Sequence, residues 1–354
     1  MIKKFSEYIA GITKKDKLAI VYHTDADGVC SAAIFTEAIK RTRKVSPIMA
    51  FSQDQGVIEI QESTIKKLKS NSITKVVILD MAVDASPAPM KKIEDFADIL
   101  LVDHHITSNN INSSRTTVIK SQDISDLDPS QYCTSKLIYD LFLQLEDISD
   151  INWISAIGII GDYGIKTWNH FLESVSKKDP QALKVLFDAE ELISYAWSCD
   201  GKEGLKKAYN ALCSANTPGE VVKSLEEYEH IKKEVDLFVD NREKLALFCE
   251  DINLVYYPIN SKYNIKSKIS NILSSKYYPE KTVVVVQPGK TKAYISARCQ
   301  TGRISMDALM KECIKGLRDA TGGGHIPAAG GTIRKEDTEK FKDNVCAFLI
   351  AYKV

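Results

Sequence analysis

Four segments carry the residues best suited to chemistry: His23-Thr24-Asp25-Ala26-Asp27-Gly28, the isolated Asp80, the triplet Asp103-His104-His105, and Asp162 within Gly161-Asp162-Tyr163-Gly164. Bare carboxylates crowded into a low-dielectric cleft repel one another and take up protons. A group of this composition therefore asks for bound cations. Carboxylates mixed with imidazoles suit Mn2+, with Mg2+ as the alternative. The eight cysteines are scattered without a Cys-x-x-Cys pair, which argues against a structural zinc site, a redox motif or a disulfide framework. As small buried residues they fit a reducing compartment.

A different kind of group lies toward the C-terminus. Gly322, Gly323 and Gly324 read as a loop whose N–H groups can approach an anion without Cβ obstruction, and His325 adds a side-chain donor. Arg298 offers a planar fork suited to phosphate or carboxylate.

These residues need elements that bring them together. KLAIVYH (17–23) reads as a strand running into a loop, followed by a helix from Gly28 to Lys40. The pattern recurs in VSPIMAF (45–51) with a helix near 58–70, KVVILD (75–80) with a helix near 87–95, and DILLVDHH (98–105). Apolar strands alternating with amphipathic helices predict an α/β domain with a mainly parallel sheet covered on both faces. An aspartate at one strand end is usually a helix cap or turn former. Several acidic and histidine segments at equivalent ends are another matter, because parallel strands deliver those ends to one sheet edge, where ligands of open α/β folds bind.

Two helices are expected near 133–145 and 151–161, the second closing at Asp162. Residues 220–248, rich in alternating charge, read as one long helix joining the two halves. A smaller mixed α/β domain begins near 251 and contains DINLVYYPI, the adjacent strands KTVVVVQP and TKAYISAR, helices near 265–275 and 305–316, and a terminal helix. The domain limits that follow are 1–215, a helical connector over 216–250, and 251–354.

A chain of 354 residues suits two domains, and 44% hydrophobic with 27% charged residues is an ordinary globular balance that leaves no disordered segment. The net charge of zero hides a split. Of 47 Lys+Arg and 47 Asp+Glu, 17 and 8 fall after residue 260, leaving 30 and 39 before it, so the halves carry +9 and −9. An acidic half can hold metal ions; a basic half can steer phosphate-rich ligands. No run approaches the roughly 20 apolar residues of a membrane span, and the basic N-terminus lacks a secretory core. The expectation is a cytoplasmic protein with no membrane partner.

The motifs resemble those of the DHH phosphoesterase superfamily, in the branch with a C-terminal DHHA1 domain. HTDADG is similar to the first motif of RecJ exonucleases, with histidine in the first acidic position as in archaeal RecJ-like proteins. Asp80, Asp103-His104-His105 and Asp162 match the second to fourth motifs in order, while ISAR (295–298) and GGGHIPAAGG (322–331) match DHHA1 segments. The resemblance implies one metal on His23, Asp25 and Asp80 and another on Asp27, Asp80, His104 and Asp162, with Asp80 shared. It implies that Asp103 orients the histidines, that His105 meets the scissile phosphate, and that Arg298, Gly322, Gly323, Gly324 and His325 hold a terminal phosphate or nucleotide. Two ions would activate a water for direct attack. The expected activity is a RecJ-like exonuclease or oligonucleotide phosphodiesterase releasing mononucleotides from single-stranded or short nucleic acid. The alternatives are a small-nucleotide phosphoesterase, acting on phosphoadenosine phosphate or a cyclic dinucleotide, and a non-enzymatic replication-associated subunit. Self-association or a replication or repair partner protein is a further expectation.

Overall fold

Leu18–Tyr22 contains no charged residue, and every side chain in the run is buried. A strand of this kind needs cover on both faces. In the computed structural model, which describes residues 2–53 and 59–352, that strand is the second of five parallel ones. The chain divides into two compact units, Met1–Glu229 and His230–Val354. The division falls inside the segment expected to be a single connecting helix.

The first unit runs α1 (Ile2–Ala10), β1 (Leu18–Tyr22), α2 (Ala26–Arg43), β2 (Met49–Ser52), α3 (Glu62–Ser70), β3 (Lys75–Leu79), α4 (Pro87–Glu94), β4 (Asp98–Asp103) and β5 (Thr116–Lys120). Helices α5 (Thr134–Leu143), α6 (Asn152–Gly161), α7 (Asn169–Val175), α8 (Pro180–Asp200), α9 (Lys202–Ser214) and α10 (Pro218–Ser224) follow. The sheet order is β2-β1-β3-β4-β5, with every pair parallel. β5 is additional to the strands expected from the sequence. Of the helix expected near 58–70, residue 58 lies outside the described residues and Glu62–Ser70 is helical.

One face of the sheet buries Val21, Val76, Ile78, Ile99 and Leu101 against Ile65 and Leu68 of α3 and Met90 and Ile93 of α4. On the α2 side, Phe142 of α5 packs edge-on against Phe5 and Phe35, with ring centroids 5.1 and 5.3 Å apart.

The segment 220–248 is not one helix. After α10 the chain makes a 3-10 turn at Glu226–Tyr228, then α11 (Glu229–Asp240), α12 (Arg242–Leu245) and β6 (Leu247–Cys249). The first break buries Leu225 and Tyr228, with the Tyr228 hydroxyl donating to Asp200 at 2.8 Å. The last residues pair antiparallel with the next strand. Helix propensity over this stretch is overridden at both ends by tertiary packing.

The second unit continues with β7 (Leu254–Pro258), α13 (Lys266–Ile272), β8 (Thr282–Pro288), β9 (Lys292–Arg298), α14 (Met306–Cys313), β10 (Thr321–Gly324), β11 (Ala328–Arg334) and α15 (Thr338–Ala351). Its sheet order is β10-β11-β9-β8-β7-β6. The β7–β8 pair is parallel; the others are antiparallel. Leu254, Val284, Ile295 and Ile333 pack with Met306, Met310, Phe341 and Val345 as its core. This is a mixed α/β unit, as expected.

Candidate metal centre

The carboxyl ends of β1, β3 and β4 deliver His23, Asp80 and Asp103 to one edge of the first sheet, as parallel pairing requires. Asp25 is the N-cap of α2, with Oδ1 accepting from the Gly28 amide at 2.9 Å and Oδ2 lying 2.7 Å from His23 Nδ1. The turn is tight enough that a Cβ on Gly28 would come within 2.6 Å of the His23 carbonyl oxygen.

Asp27, in the first turn of α2, is buried. Its two oxygens accept from the amides of Thr134 (2.7 Å) and Ser135 (2.9 Å) at the start of α5, where the helix dipole favours an anion. Gly158 of α6 permits this approach, since a Cβ there would meet Ser135 Oγ at 2.1 Å and Asp27 Oδ1 at 3.1 Å.

Asp80 adopts a left-handed backbone with φ +62°, a conformation costly for most non-glycine residues and common at functional sites. Its Oδ1 accepts from Thr134 Oγ1 at 3.0 Å and lies 3.4 Å from His104 Nε2; its Oδ2 lies 3.6 Å from His23 Nδ1. Asp162 comes from a helix end rather than a strand end, as the C-cap of α6. One of its oxygens is 3.6 Å from His104 Nδ1 and is buried without a hydrogen-bond partner.

The structure therefore brings all four segments together. Three groups of ligand atoms each lie within 4.8 Å: His23, Asp25 and Asp80; Asp27, His104 and Asp162; Asp80, His104 and His105. Asp80 joins the first and third groups, and His104 the second and third.

The electrostatics match that crowding. Burial, then the charges of Asp27 and Asp25, push Asp80 well above the ordinary carboxylate range. Burial and Asp27 raise Asp162 to about 9, and burial raises Asp27 despite opposing help from His104. Burial opposes a charge on His23, yet Asp25 and Asp80 hold its imidazole well above the usual value. Carboxylates that would rather keep protons, together with an orphaned Asp162 oxygen, suit a divalent cation that cancels the repulsion.

Asp103 stands behind this group. Burial works against its charge, but the bonds and fields of His105 and Lys120 hold it well below the carboxylate range. Oδ1 accepts from the His104 and His105 amides at 2.9 and 3.2 Å and pairs with His105 Nδ1 at 2.7 Å. Oδ2 accepts from Lys120 Nζ at 2.5 Å. Lys120 is buried and also donates to Asp84 Oδ1 at 2.9 Å and to the His105 carbonyl at 3.2 Å. Asp84 in turn takes the amide of Ser108 at 2.6 Å and the Asn109 side chain through its carbonyl at 2.8 Å. Neither Lys120 nor Asp84 emerged from the sequence: Lys120 ends the strand that was not expected, and Asp84 sits in a short 3-10 turn after β3. A lysine closing an apolar run was the available signal.

In the second unit, Arg298 ends β9 and donates through Nε to Asn271 Oδ1 at 2.5 Å. The glycines are not a loop. Gly322, Gly323 and Gly324 form the edge strand β10, opposite Gly331, Gly330 and Ala329. Packing explains two of them: a Cβ on Gly322 would meet Met310 Cγ at 2.5 Å, and one on Gly324 would meet the Ala328 carbonyl oxygen at 2.4 Å. The Gly324 amide already donates to Asp307 at 2.9 Å. His325 follows in the hairpin, its amide donating to the Ala328 carbonyl at 2.7 Å.

A parallel sheet whose carboxyl edge gathers carboxylates and imidazoles about a shared aspartate defines the class, an α/β protein with a candidate divalent-metal centre. Residues 17–159 match the DHH family, N-terminal domain, and residues 251–351 match the DHHA1 domain. The chain belongs to the DHH phosphoesterase superfamily, in the branch carrying a C-terminal DHHA1 domain.

No curated protein matches the sequence. Among solved structures, a DHH-domain protein described as a member of the s1p family of ribosomal proteins is similar at TM-score 0.75 and 15% identity, over 98% of this chain and 90% of that one. RecJ from Thermus thermophilus, solved with Mn2+, is similar at TM-score 0.70 and 15% identity; 99% of this chain covers 55% of that one. An exonuclease RecJ bound to manganese is similar at TM-score 0.69 and 15% identity, over 99% and 94%. At such identities the likeness is one of fold. Among the described residues no helix is long and apolar enough to cross a membrane.

Proposed function

We propose that this protein is a divalent-metal-dependent phosphoesterase that hydrolyses single-stranded or short nucleic acid to mononucleotides. The observation that carries the reading is Asp80, whose carboxylate is common to two groups of ligand atoms within 4.8 Å. In this reading His23, Asp25 and Asp80 hold one ion, Asp27, Asp80, His104 and Asp162 hold the other, and Mn2+ is the favoured metal. When bound, such ions supply an activated water and stabilise the departing oxygen.

The chain's own residues do the positioning. The N-cap bond of Asp25 and the α5 amides that hold Asp27 fix two carboxylates before any ligand arrives. His105, tied through Nδ1 to Asp103, has Nε2 left for a phosphate oxygen. His104 is steadied by the Pro129 carbonyl, 3.1 Å from Nδ1. Arg298 and His325 are assigned the substrate's terminal phosphate, in keeping with the excess of positive charge after residue 260; the close-packed glycine strand is left out of that role.

The test is an end-labelled ladder of DNA and RNA of several lengths incubated with Mn2+ or Mg2+, beside phosphoadenosine phosphate and cyclic dinucleotides. Mononucleotide release from the ladder is expected. Hydrolysis confined to the small nucleotides would overturn the substrate, and no hydrolysis of any of them would overturn the enzyme reading.

A further inference from the structure

A cavity of about 570 Å3 lies at the free edge of the first sheet, away from the ligand atoms described above. Its floor is the outer strand β2, and its walls are the start of α3 and the face of α9. The volume falls within the range of small-ligand sites. Three lysines line it, Lys67, Lys202 and Lys206, against one carboxylate, Glu203, which sits 3.8 Å from Lys206. Lys67 carries its ammonium 3.7 Å from the centre of the Phe51 ring. Partial burial and then the fields of Lys202 and Lys206 lower its pKa, so the three lysines share one positive field. Among the described residues no carboxylate pairs with Lys67.

Two more features point to a ligand. Ser52 belongs to the cavity lining, and its Oγ is buried beneath that surface with no hydrogen-bond partner, the residue being 5% exposed. Such a group normally has an acceptor or donor to meet. The cavity also offers a ring, Tyr209, backed by Tyr22 with centroids 5.9 Å apart, while the Phe51 face is already covered by Lys67. Cationic side chains interleaved with aromatic faces are what a single-stranded nucleic acid needs, phosphates for the former and bases for the latter.

The location fits as well. Ser52 pairs in register with Tyr22, and Tyr22 with Leu79; His23 and Asp80 are the next residues after those two partners. Two steps between neighbouring strands separate β2 from β3, about 10 Å, which about three stacked nucleotides span at roughly 3.4 Å each.

We propose that this cavity binds the phosphates and bases of a single-stranded oligonucleotide about three nucleotides from the reacting end. The proposal rests on the nucleic-acid reading of the metal centre, and it makes the enzyme length-sensitive. Dinucleotides would reach only the metal centre, while longer strands would occupy both places.

The test uses the full chain and fluorescently labelled oligonucleotides of two and eight nucleotides. Binding is measured by anisotropy in EDTA over a salt series, and turnover separately with Mn2+. Lys67→Gln with Lys206→Gln is compared with a control of equal charge loss, Lys66→Gln with Lys69→Gln, which lie outside the cavity on the helix that carries Lys67. The cavity variant should weaken octamer binding about tenfold and reduce the slope of log Kd against log salt by about 1.4, at roughly 0.7 per lost phosphate contact. The control variant and dinucleotide turnover should be little changed.

Equal octamer affinity in the cavity variant and the wild type would overturn the proposal, as would equal losses in the cavity and control variants. Selective loss of binding to an acidic peptide, with the oligonucleotide unaffected, would reassign the cavity to a protein partner and overturn it too. Failure of the phosphoesterase reading appears separately, as absence of turnover while the anisotropy difference persists.

Discussion

Replacing Lys120 with methionine should cost more than any surface ion pair could. The ammonium is 1% exposed and its three donors are spent on Asp103 (2.5 Å), Asp84 (2.9 Å) and the His105 carbonyl (3.2 Å). Methionine keeps most of the volume and removes the charge, leaving two buried carboxylates without their common counterion. Breaking a buried ion pair by removing one partner costs about 3–5 kcal/mol. For a unit of this size, each kcal/mol shifts Tm by about 2–4 °C, so the first unit should melt about 6–20 °C lower. The assay is urea denaturation followed by circular dichroism, with EDTA present so that metal linkage adds nothing. Adding Asp84→Asn to Lys120→Met should recover part of the loss, because one uncompensated charge is removed; coupling between such neighbours is about 0.5–3 kcal/mol. A loss below about 1 kcal/mol, the scale of an exposed pair, would refute the reasoning. A second readout follows from geometry. Nitrogen NMR of His105 should show its proton on Nδ1 in the wild type and exchange between tautomers in the variant, since Asp103 would no longer be anchored.

Asp80→Asn should abolish metal-dependent turnover while the protein stays folded, because asparagine tolerates the left-handed backbone at φ +62°; retained turnover in purified variant would remove Asp80 from the centre. Gly158→Ala drives a methyl group to within 2.1 Å of Ser135 Oγ and should destabilise by about 1–3 kcal/mol, read from the denaturation midpoint; a neutral result would show that α6 can shift. Without metal, burial and Asp27 raise Asp162 to about 9. The folded state therefore binds this proton more tightly than the unfolded one, and the associated stability is present below about pH 4 and lost as pH rises toward 9. The gain in Tm on adding Mn2+ should accordingly grow between pH 5 and 8, as metal takes the place of that proton; a gain independent of pH would contradict the raised carboxyl.

Much of the candidate site was legible because parallel strands have a direction. Apolar runs at Leu18–Tyr22, Lys75–Leu79 and Asp98–Asp103 fixed three strands, and a shared direction sends His23, Asp80 and Asp103 to the same edge. Composition then made cations the natural answer to crowded carboxylates. The branch of the superfamily was readable in the motif order, which the matched domains bear out.

Tertiary structure decided what sequence distance conceals. Asp27 is held by amides 107 and 108 residues away, and Lys120 reaches Asp84 and Asp103 across 36 and 17 residues; no local pattern encodes such pairings. The segment 220–248 has the charge pattern of a continuous helix, but burial of Leu225 and Tyr228 and the pairing of Leu247–Cys249 break it. The glycines at 322–324 illustrate the same limit from the other side. Sequence shows only that a Cβ is absent, whereas Met310 and the Ala328 carbonyl show why, turning an expected anion loop into a close-packed strand. Residue type set the chemistry available to this chain; packing decided which groups stand near enough to share it.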